Sequence, residues 1–488
     1  MKRLLFLLLF AATLEARPIV FMNVNVIPMT SDVVLRNQVV IVDGAKIIAI
    51  GKEGDVVIPA EAERIDGEGG YIVPGLIDLH VHVTQPDELP LYVANGVTTV
   101  LNLSGDSGIF AFRNAPMGPR FFSTGKQLIN VQSADAARAI VDEESRDGYD
   151  GIKIYDDISI DALNALIAEA RAHDMLSVGH IPRNLRWQDM LAARPDAIAH
   201  AEEFLYSPVL EGDNERIVDG MKSGGISLIT TLIMYDTIGR EIADLDSMLV
   251  RGENRYVNPA LRRMWQRSHN RYSINFPAKA VPKMRRLLGF QKDLVKQLVA
   301  ASVPILLGTD AGSPLMVPGF SAIDELHELV SAGLTPYAAM RAATIDAAHF
   351  LKKDSEFGTI ETGRAADFIL LRGNPLADID NVALRAGVML RGRWLDNAAL
   401  HRELDRIAAV NRSEESVVSA MSKGADAVIA AARRVHARES TVNELAYQLL
   451  RVEKRKDDAL KLFRANVAMH PKSVNAKESL KEVLADSR

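Results

Sequence analysis

Between residues 71 and 351 the chain repeats one pattern, a brief apolar run followed by a longer stretch with helical spacing. Parallel strands must be joined by crossover connections, usually helices, so this alternation points to a parallel sheet. Eight runs can be placed, at 72–80, 97–103, 120–125, 151–155, 176–181, 197–202, 227–235 and 304–310. The connecting segments 159–171 and 324–332 are amphipathic with helical periodicity. Eight βα units are the number that closes a TIM-like (β/α)8 barrel, a fold of roughly 250 residues. The spacing therefore predicts an α/β chain with such a barrel over residues 71–356.

The flanks read differently. Residues 17–70 alternate apolar and polar over short segments broken by Asp-Gly turns, as in Val42-Asp43-Gly44-Ala45, which is the signature of hairpins. Past the barrel, Gly358-Thr359-Ile360-Glu361-Thr362-Gly363-Arg364-Ala365-Ala366-Asp367 reads as turns feeding strands that continue to Trp394. Strands need a sheet to join, so 17–70 and 357–397 are expected to form one small composite β-sandwich domain. Residues 398–488 carry helical periodicity without strand signals. Within them 445–484, with Ala446, Leu449, Ala459, Phe463, Ala465, Pro471, Ala476 and Leu480, resembles a tetratricopeptide helical hairpin. Such units bury their faces by stacking, so this extension is expected to dock on the body of the chain, on a second copy or on a protein partner.

The first residues, Met1-Lys2-Arg3 followed by the apolar run 4–14 and Glu15-Ala16-Arg17-Pro18, have the layout of a signal peptide over 1–16, with cleavage near Arg17. A buried N-terminal strand is the alternative for the same residues. Export to the periplasm or beyond is expected, without a membrane anchor once the leader is removed, since the run is too short to span a bilayer. The net charge of −6 provides no basic field for nucleic acid, which is not expected as a partner. The chain has no Cys, so any metal site must use nitrogen and oxygen ligands.

Gly75-Leu76-Ile77-Asp78-Leu79-His80-Val81-His82 ends the first run. Residues i and i+2 of a strand share a face, so both imidazoles converge, and imidazole nitrogen is a preferred Zn²⁺ ligand. Alone, His-x-His is also compatible with a chance pair of polar residues at a strand end. Lys153, however, ends the fourth run, His180 the fifth, His200 the sixth and Asp310 the eighth, and the strand ends on that face of a barrel surround one cavity. Tyr155 and Tyr235 are candidate substrate contacts from the same face, or packing tyrosines. The long insertion between the seventh and eighth runs is either a lid over the mouth or a solvated helical face. It contains His269, an open candidate, and the Arg262 to Arg271 group, which either binds a substrate carboxylate or is solvated. His173, His327 and His349 fall on helices and are read as surface or packing residues.

On these residues the sequence, from about 19 to 397, resembles the amidohydrolase superfamily, in the branch containing imidazolonepropionase-like proteins and metal-dependent dipeptidases. The resemblance implies two divalent cations, with Zn²⁺ the default among ions that accept such ligands. It implies that His80, His82 and Asp310 hold one, that His180 and His200 hold the other, and that Lys153, carbamylated by CO₂, bridges both. The alternative for Lys153 is an ordinary structural or substrate-binding lysine beside a single metal. The activity implied is cleavage of the C–N bond of a small amide substrate, such as an N-acyl amino acid, dipeptide or cyclic amide. A metal-bridging hydroxide would attack, with Asp310 as catalytic base and acid. An esterase, lactonase or deaminase at the same centre is a second reading, and a metal-loaded scaffold recruiting a protein through its helical tail is a third. Lys153 is followed by Ile154-Tyr155-Asp156-Asp157, where well-known dipeptidases of the branch often have a Gly-Gly-rich segment, so no individual substrate transfers from the resemblance.

Overall fold

The computed structural model describes residues 17–206 and 213–485, and the expected leader at 1–16 lies outside the described residues. Eight parallel strands run in sequence order around a barrel: β1 (Leu76–Val81), β2 (Val97–Asn102), β3 (Arg120–Val131), β4 (Gly151–Ile158), β5 (Leu176–Gly179), β6 (Ala197–Ala199), β7 (Ser227–Ile229) and β8 (Ile305–Leu306). The last strand returns to the first: the N–H of Leu79 donates to Leu307 O at 3.0 Å, and that of His82 to Ala311 O at 2.7 Å. The crossover helices begin and end where the sequence signals them. Ser133 and Ser159 cap Ala134–Asp147 and Ile160–Ala172 through their hydroxyls, and Gly148, at φ 89°, takes the left-handed turn after the first of these.

Three of the eight apolar runs are divided, the sixth because its strand ends at Ala199 and Ala201–Leu205 coils as a 3-10 helix. In 72–80, Tyr71–Pro74 pairs outside the barrel and β1 starts only at Leu76. Pro74 has no N–H for a ladder, and Gly75 is pressed so closely on Thr98 that a Cβ would lie 2.1 Å from its hydroxyl oxygen. The run 227–235 leaves the sheet after Ile229; Thr231 turns the chain at φ 50°, and Leu232–Leu249 is helix. The carboxylate of the buried Glu325 accepts from the N–H groups of Leu232 (3.1 Å) and Ile233 (2.7 Å), satisfying donors that a helix start leaves unpaired. Tyr235 consequently sits on a helix and not at a strand end.

Both flanks contribute strands to one continuous sheet, where a sandwich would need two facing sheets. Ile19–Val26 is central to a second, eight-stranded sheet, pairing with Leu35–Asp43 on one side and with Glu63–Asp66 and then Tyr71–Pro74 on the other. Phe368–Leu371, Arg385–Leu390 and Arg393–Asp396 extend it past Tyr71–Pro74. The halves of the small domain are thus continuous through one strand, and Phe21 brings them together, edge-on to Phe368 and Trp394 at ring separations of 5.3 and 4.9 Å.

The C-terminal part is helical, from Asn397–Ser419 to Val474–Ala485, with its own apolar core around Val428, Leu445, Leu462 and Phe463. Ala260, from the insertion between β7 and β8, is part of that core. No helix among the described residues is long and apolar enough to cross a membrane.

Candidate metal centre

The six residues singled out by their strand-end positions converge at one mouth of the barrel. His80 and Lys153 are fully buried within β1 and β4, whereas His82, His180, His200 and Asp310 lie just past β1, β5, β6 and β8. Asp310 Oδ1 is 3.2 Å from His80 Nε2 and 2.9 Å from His82 Nε2, and the two imidazole nitrogens are 3.3 Å apart. Donors sharing a tetrahedral cation at about 2.1 Å are separated by ~3.4 Å. The His200 ring lies 4.5 Å from that of His80 and 4.7 Å from that of His180, and one donor atom each from His80, His200 and Asp310 fall within 4.8 Å of one another.

The backbone is bent to achieve this. His200, Thr231 and Asp310, which follow the last three strands, have φ of 73°, 50° and 60°. Non-glycine residues in that region carry a conformational cost of order 1–3 kcal/mol and persist where surrounding contacts hold them. Here the N–H of His200 donates to Ile229 O (2.8 Å) and that of Asp310 to His80 O (2.7 Å).

The surroundings favour the ligating forms. Burial, together with the Lys153 charge, holds the imidazoles of His80 and His180 below their usual range; burial and the neighbouring His180 do so for His200. A neutral imidazole is the form that binds metal. Burial pushes Lys153 down to about 8, against the opposing pull of Asp310 and Glu203. Burial works against the charge of Asp310, but hydrogen bonds from His80 and His82 hold its carboxyl well below the usual range.

Two further observations test the fit to cations. Lys153 Nζ and His80 Nδ1 are buried without a hydrogen-bond partner among the described residues, a costly arrangement for polar atoms. A carbamate on Lys153 would turn the first into a ligand. The outer nitrogens of His180 and His200 are already fixed: Glu203 Oε1 lies 2.8 Å from His180 Nδ1, and Thr231 Oγ1 lies 2.8 Å from His200 Nδ1. Such partners set the tautomer of ligating imidazoles and aim the remaining nitrogen at the metal.

A cavity of about 400 Å³ opens over the cluster, its wall including Tyr155, Arg183, Glu202, Met234, Arg271 and Tyr272. Tyr155 packs edge-on against His180, with ring centres 4.7 Å apart. Two other sequence candidates are not on this wall. Tyr235 packs with Ile233, Ile238 and Met284, its hydroxyl 3.8 Å from the Met284 sulfur. His269 stays in the insertion, bonded to Ser268. Of the arginine group, Arg271 reaches the cavity, whereas Arg262 and Arg263 pair with Glu415 and Glu453 of the helical tail and Arg267 with Asp246. His173, His327 and His349 each pair with an aspartate on a helix or surface turn.

Sequence reasoning missed Glu203, which is wholly buried and receives Ile181 N–H (3.0 Å) and both Arg183 terminal nitrogens besides His180. Burial alone would raise its pKa, but hydrogen bonds from His180 and Arg183 bring it down to about 2. It also missed Thr231, and Ser313, whose hydroxyl donates to Asp310 Oδ2 at 2.9 Å. The acidic pair Glu202-Glu203, one residue beyond the histidine that follows β6, was the available signal for the first.

The sequence model of the amidohydrolase family matches residues 71–395. Among curated relatives, an imidazolonepropionase of Geobacillus kaustophilus (strain HTA426) is 24% identical over 372 residues, which cover 69% of this chain and 84% of the relative. An adenine deaminase of Paracoccus denitrificans (strain Pd 1222) is 23% identical over 366 residues, covering 72% of this chain and 54% of its own. Among solved structures, a Xaa-Pro dipeptidase with methionine bound in its active site superposes with a TM-score of 0.61 at 21% identity, over 78% of this chain and all of that one. A bottromycin amidohydrolase gives 0.64 at 22% identity, over 81% and 91%. At these identities the structural likeness is one of fold.

Proposed function

Because the chain belongs to the amidohydrolase family, we propose that its barrel mouth hydrolyses the C–N bond of a small amide, with Asp310 moving the proton. His80, His82 and Asp310 would hold one divalent cation, His180 and His200 a second, and a carbamate on Lys153 both, with Zn²⁺ the default ion. When bound, such cations supply Lewis acidity toward water and toward the scissile carbonyl.

The observation that supports this most directly is the position of Asp310. Its Oδ1 faces His80 and His82 while its Oδ2 accepts from Ser313, so the carboxylate is fixed at the edge of the cavity in its basic form. From there it accepts the proton released as water attacks the carbonyl and returns it to the departing nitrogen, which would otherwise leave as an unstable amide anion. Glu203 and Thr231 keep His180 and His200 from rotating during this exchange.

The cavity wall suggests which amides fit. Arg271 lies beside the Tyr272 hydroxyl at 2.6 Å, and Arg183 stacks over Tyr206 with its terminal nitrogens on Glu203. Arg271 therefore retains donors for a substrate carboxylate, which favours N-acyl amino acids and dipeptides. Export through residues 1–16 belongs to the same proposal, checked by the N-terminus of the mature protein from cells.

The experiment is a turnover screen of the metal-replete protein and Asp310→Asn on N-acyl amino acids, dipeptides and cyclic amides, with a parallel assay for ammonia and for ester cleavage. Release of an amine or amino acid that depends on Asp310 supports the reading. Ammonia from an aminated ring, or ester cleavage alone, replaces it with a deaminase or esterase, and turnover unaffected in Asp310→Asn removes the proposed proton carrier.

A further inference from the structure

The segment that follows His82 is held from outside the barrel. Gln85 Oε1 accepts from Asn258 Nδ2 at 2.7 Å, and Asp87 Oδ2 accepts from Arg438 at 2.8 Å. Asn258 belongs to the insertion between β7 and β8, and Arg438 to the helical tail. The same Asn258 nitrogen is 2.9 Å from Thr441 Oγ1, which donates to Glu414 Oε2 at 2.6 Å. Arg438 completes the circuit, reaching both Glu414 oxygens, and Asn411 Oδ1 at 2.6 Å. Asn411 in turn donates to the carbonyl of Arg255 in the insertion at 2.9 Å.

Gln85, Asn258, Asn411, Glu414 and Thr441 are each at most 5% exposed. A polar cluster buried to that degree is specific: each group depends on its partners, because losing one leaves another desolvated and unpaired. This cluster joins three separate stretches of chain. One leads directly from His82. The second, the insertion, continues to Arg271 and Tyr272 on the cavity wall. The third is the tail, which contributes no residue to that wall.

We propose that the helical tail is a positioning element of the barrel mouth: through Arg438 and Thr441 it fixes the loop after His82 and the insertion carrying Arg271 in one arrangement. Arg438, Thr441 and Asn258 are positioning residues, since none touches the cavity. The tail then serves substrate binding within its own chain, whichever proteins or copies its outer surface meets. The part that concerns substrate rests on the hydrolase reading; the part that concerns loop order does not.

The test uses the full chain with two substitutions that leave the Arg438–Glu414 pair intact, Asp87→Asn and Asn258→Ala, and reads amide hydrogen exchange and steady-state kinetics side by side. Expected are at least tenfold faster exchange across residues 83–88 and 255–272, with barrel strands and tail helices unchanged, and a KM raised severalfold with kcat within about twofold. Arg438→Lys, which keeps the charge but not the forked geometry, is expected to be intermediate in exchange between the native chain and Arg438→Gln. Faster exchange confined to the tail, or none at the mouth, overturns the proposal regardless of the reaction catalysed. Faster exchange at the mouth with unaltered KM retains the brace and overturns its role in substrate binding, and exchange as expected with no substrate found counts against the hydrolase reading alone.

Discussion

Asp310 and His82 meet across the seam of the barrel. Asp310 Oδ1 lies 2.9 Å from His82 Nε2, and the backbone N–H of His82 donates to the carbonyl of Ala311 at 2.7 Å. The side chains that would share a cation are therefore registered by the same backbone bond that brings the last strand back to the first. A metal held there would link the two ends of the barrel.

Asp310→Asn removes the proposed proton acceptor while keeping the size of the side chain. Turnover is expected to fall by about 10²- to 10⁴-fold, with the far-ultraviolet circular dichroism spectrum unchanged. A comparable loss of secondary structure would mean that the residue mainly holds the seam.

Glu203→Gln withdraws the charge that holds His180 and anchors Arg183. Loss of such a partner weakens metal affinity by roughly 10–100-fold, measurable by competition with a chromophoric chelator. Affinity equal to that of the native chain would show that His180 is positioned by packing alone.

Arg271→Ala is expected to raise KM for substrates with a free carboxylate by about tenfold or more, since a charged hydrogen bond is lost. The corresponding carboxamides should be little affected. Tyr235→Phe, which loses only a contact with a sulfur atom, should leave both constants within about twofold. An effect of Tyr235→Phe larger than that of Arg271→Ala would require a cavity wall different from the one described.

Glu144, on the helix Ala134–Asp147, is buried against Gly125, and one of its carboxyl oxygens has no hydrogen-bond partner among the described residues. Burial, with Glu143 and Asp147 nearby, raises its pKa from 4.5 to about 8. A carboxyl whose folded pKa lies above its unfolded one stabilises the fold fully below the unfolded value, and that contribution is lost as pH rises through 8. Glu144→Gln should therefore gain melting temperature relative to the native chain between pH 5 and pH 8.5. An offset between the two proteins that is the same at both pH values would show that Glu144 does not titrate in this range.

The sequence carried the metal centre because its information is local. His80 and His82 are two residues apart at the end of the first run, Lys153 lies within the fourth, and His180, His200 and Asp310 stand at or near the ends of the fifth, sixth and eighth, so the alternation of runs together with the family resemblance brings them to one face. The small domain was legible for a similar reason, since its strands are bounded by turn residues. Tyr235 was misplaced because Leu228-Ile229-Thr230-Thr231-Leu232-Ile233-Met234-Tyr235 is continuously apolar or β-branched, and the helix start within it depends on Glu325, almost a hundred residues away. Likewise, the pairing of Glu203 with His180, and of Arg262 and Arg263 with the tail, joins positions with no sequence relation, and no local pattern encodes such contacts.

The most direct test of the central claim is the divalent metal content of the purified chain, by elemental analysis, beside that of Lys153→Ala. About two ions per chain are expected, falling to about one or fewer in Lys153→Ala. A single ion that is unaffected by the loss of Lys153, or no metal in a correctly folded chain, would contradict it.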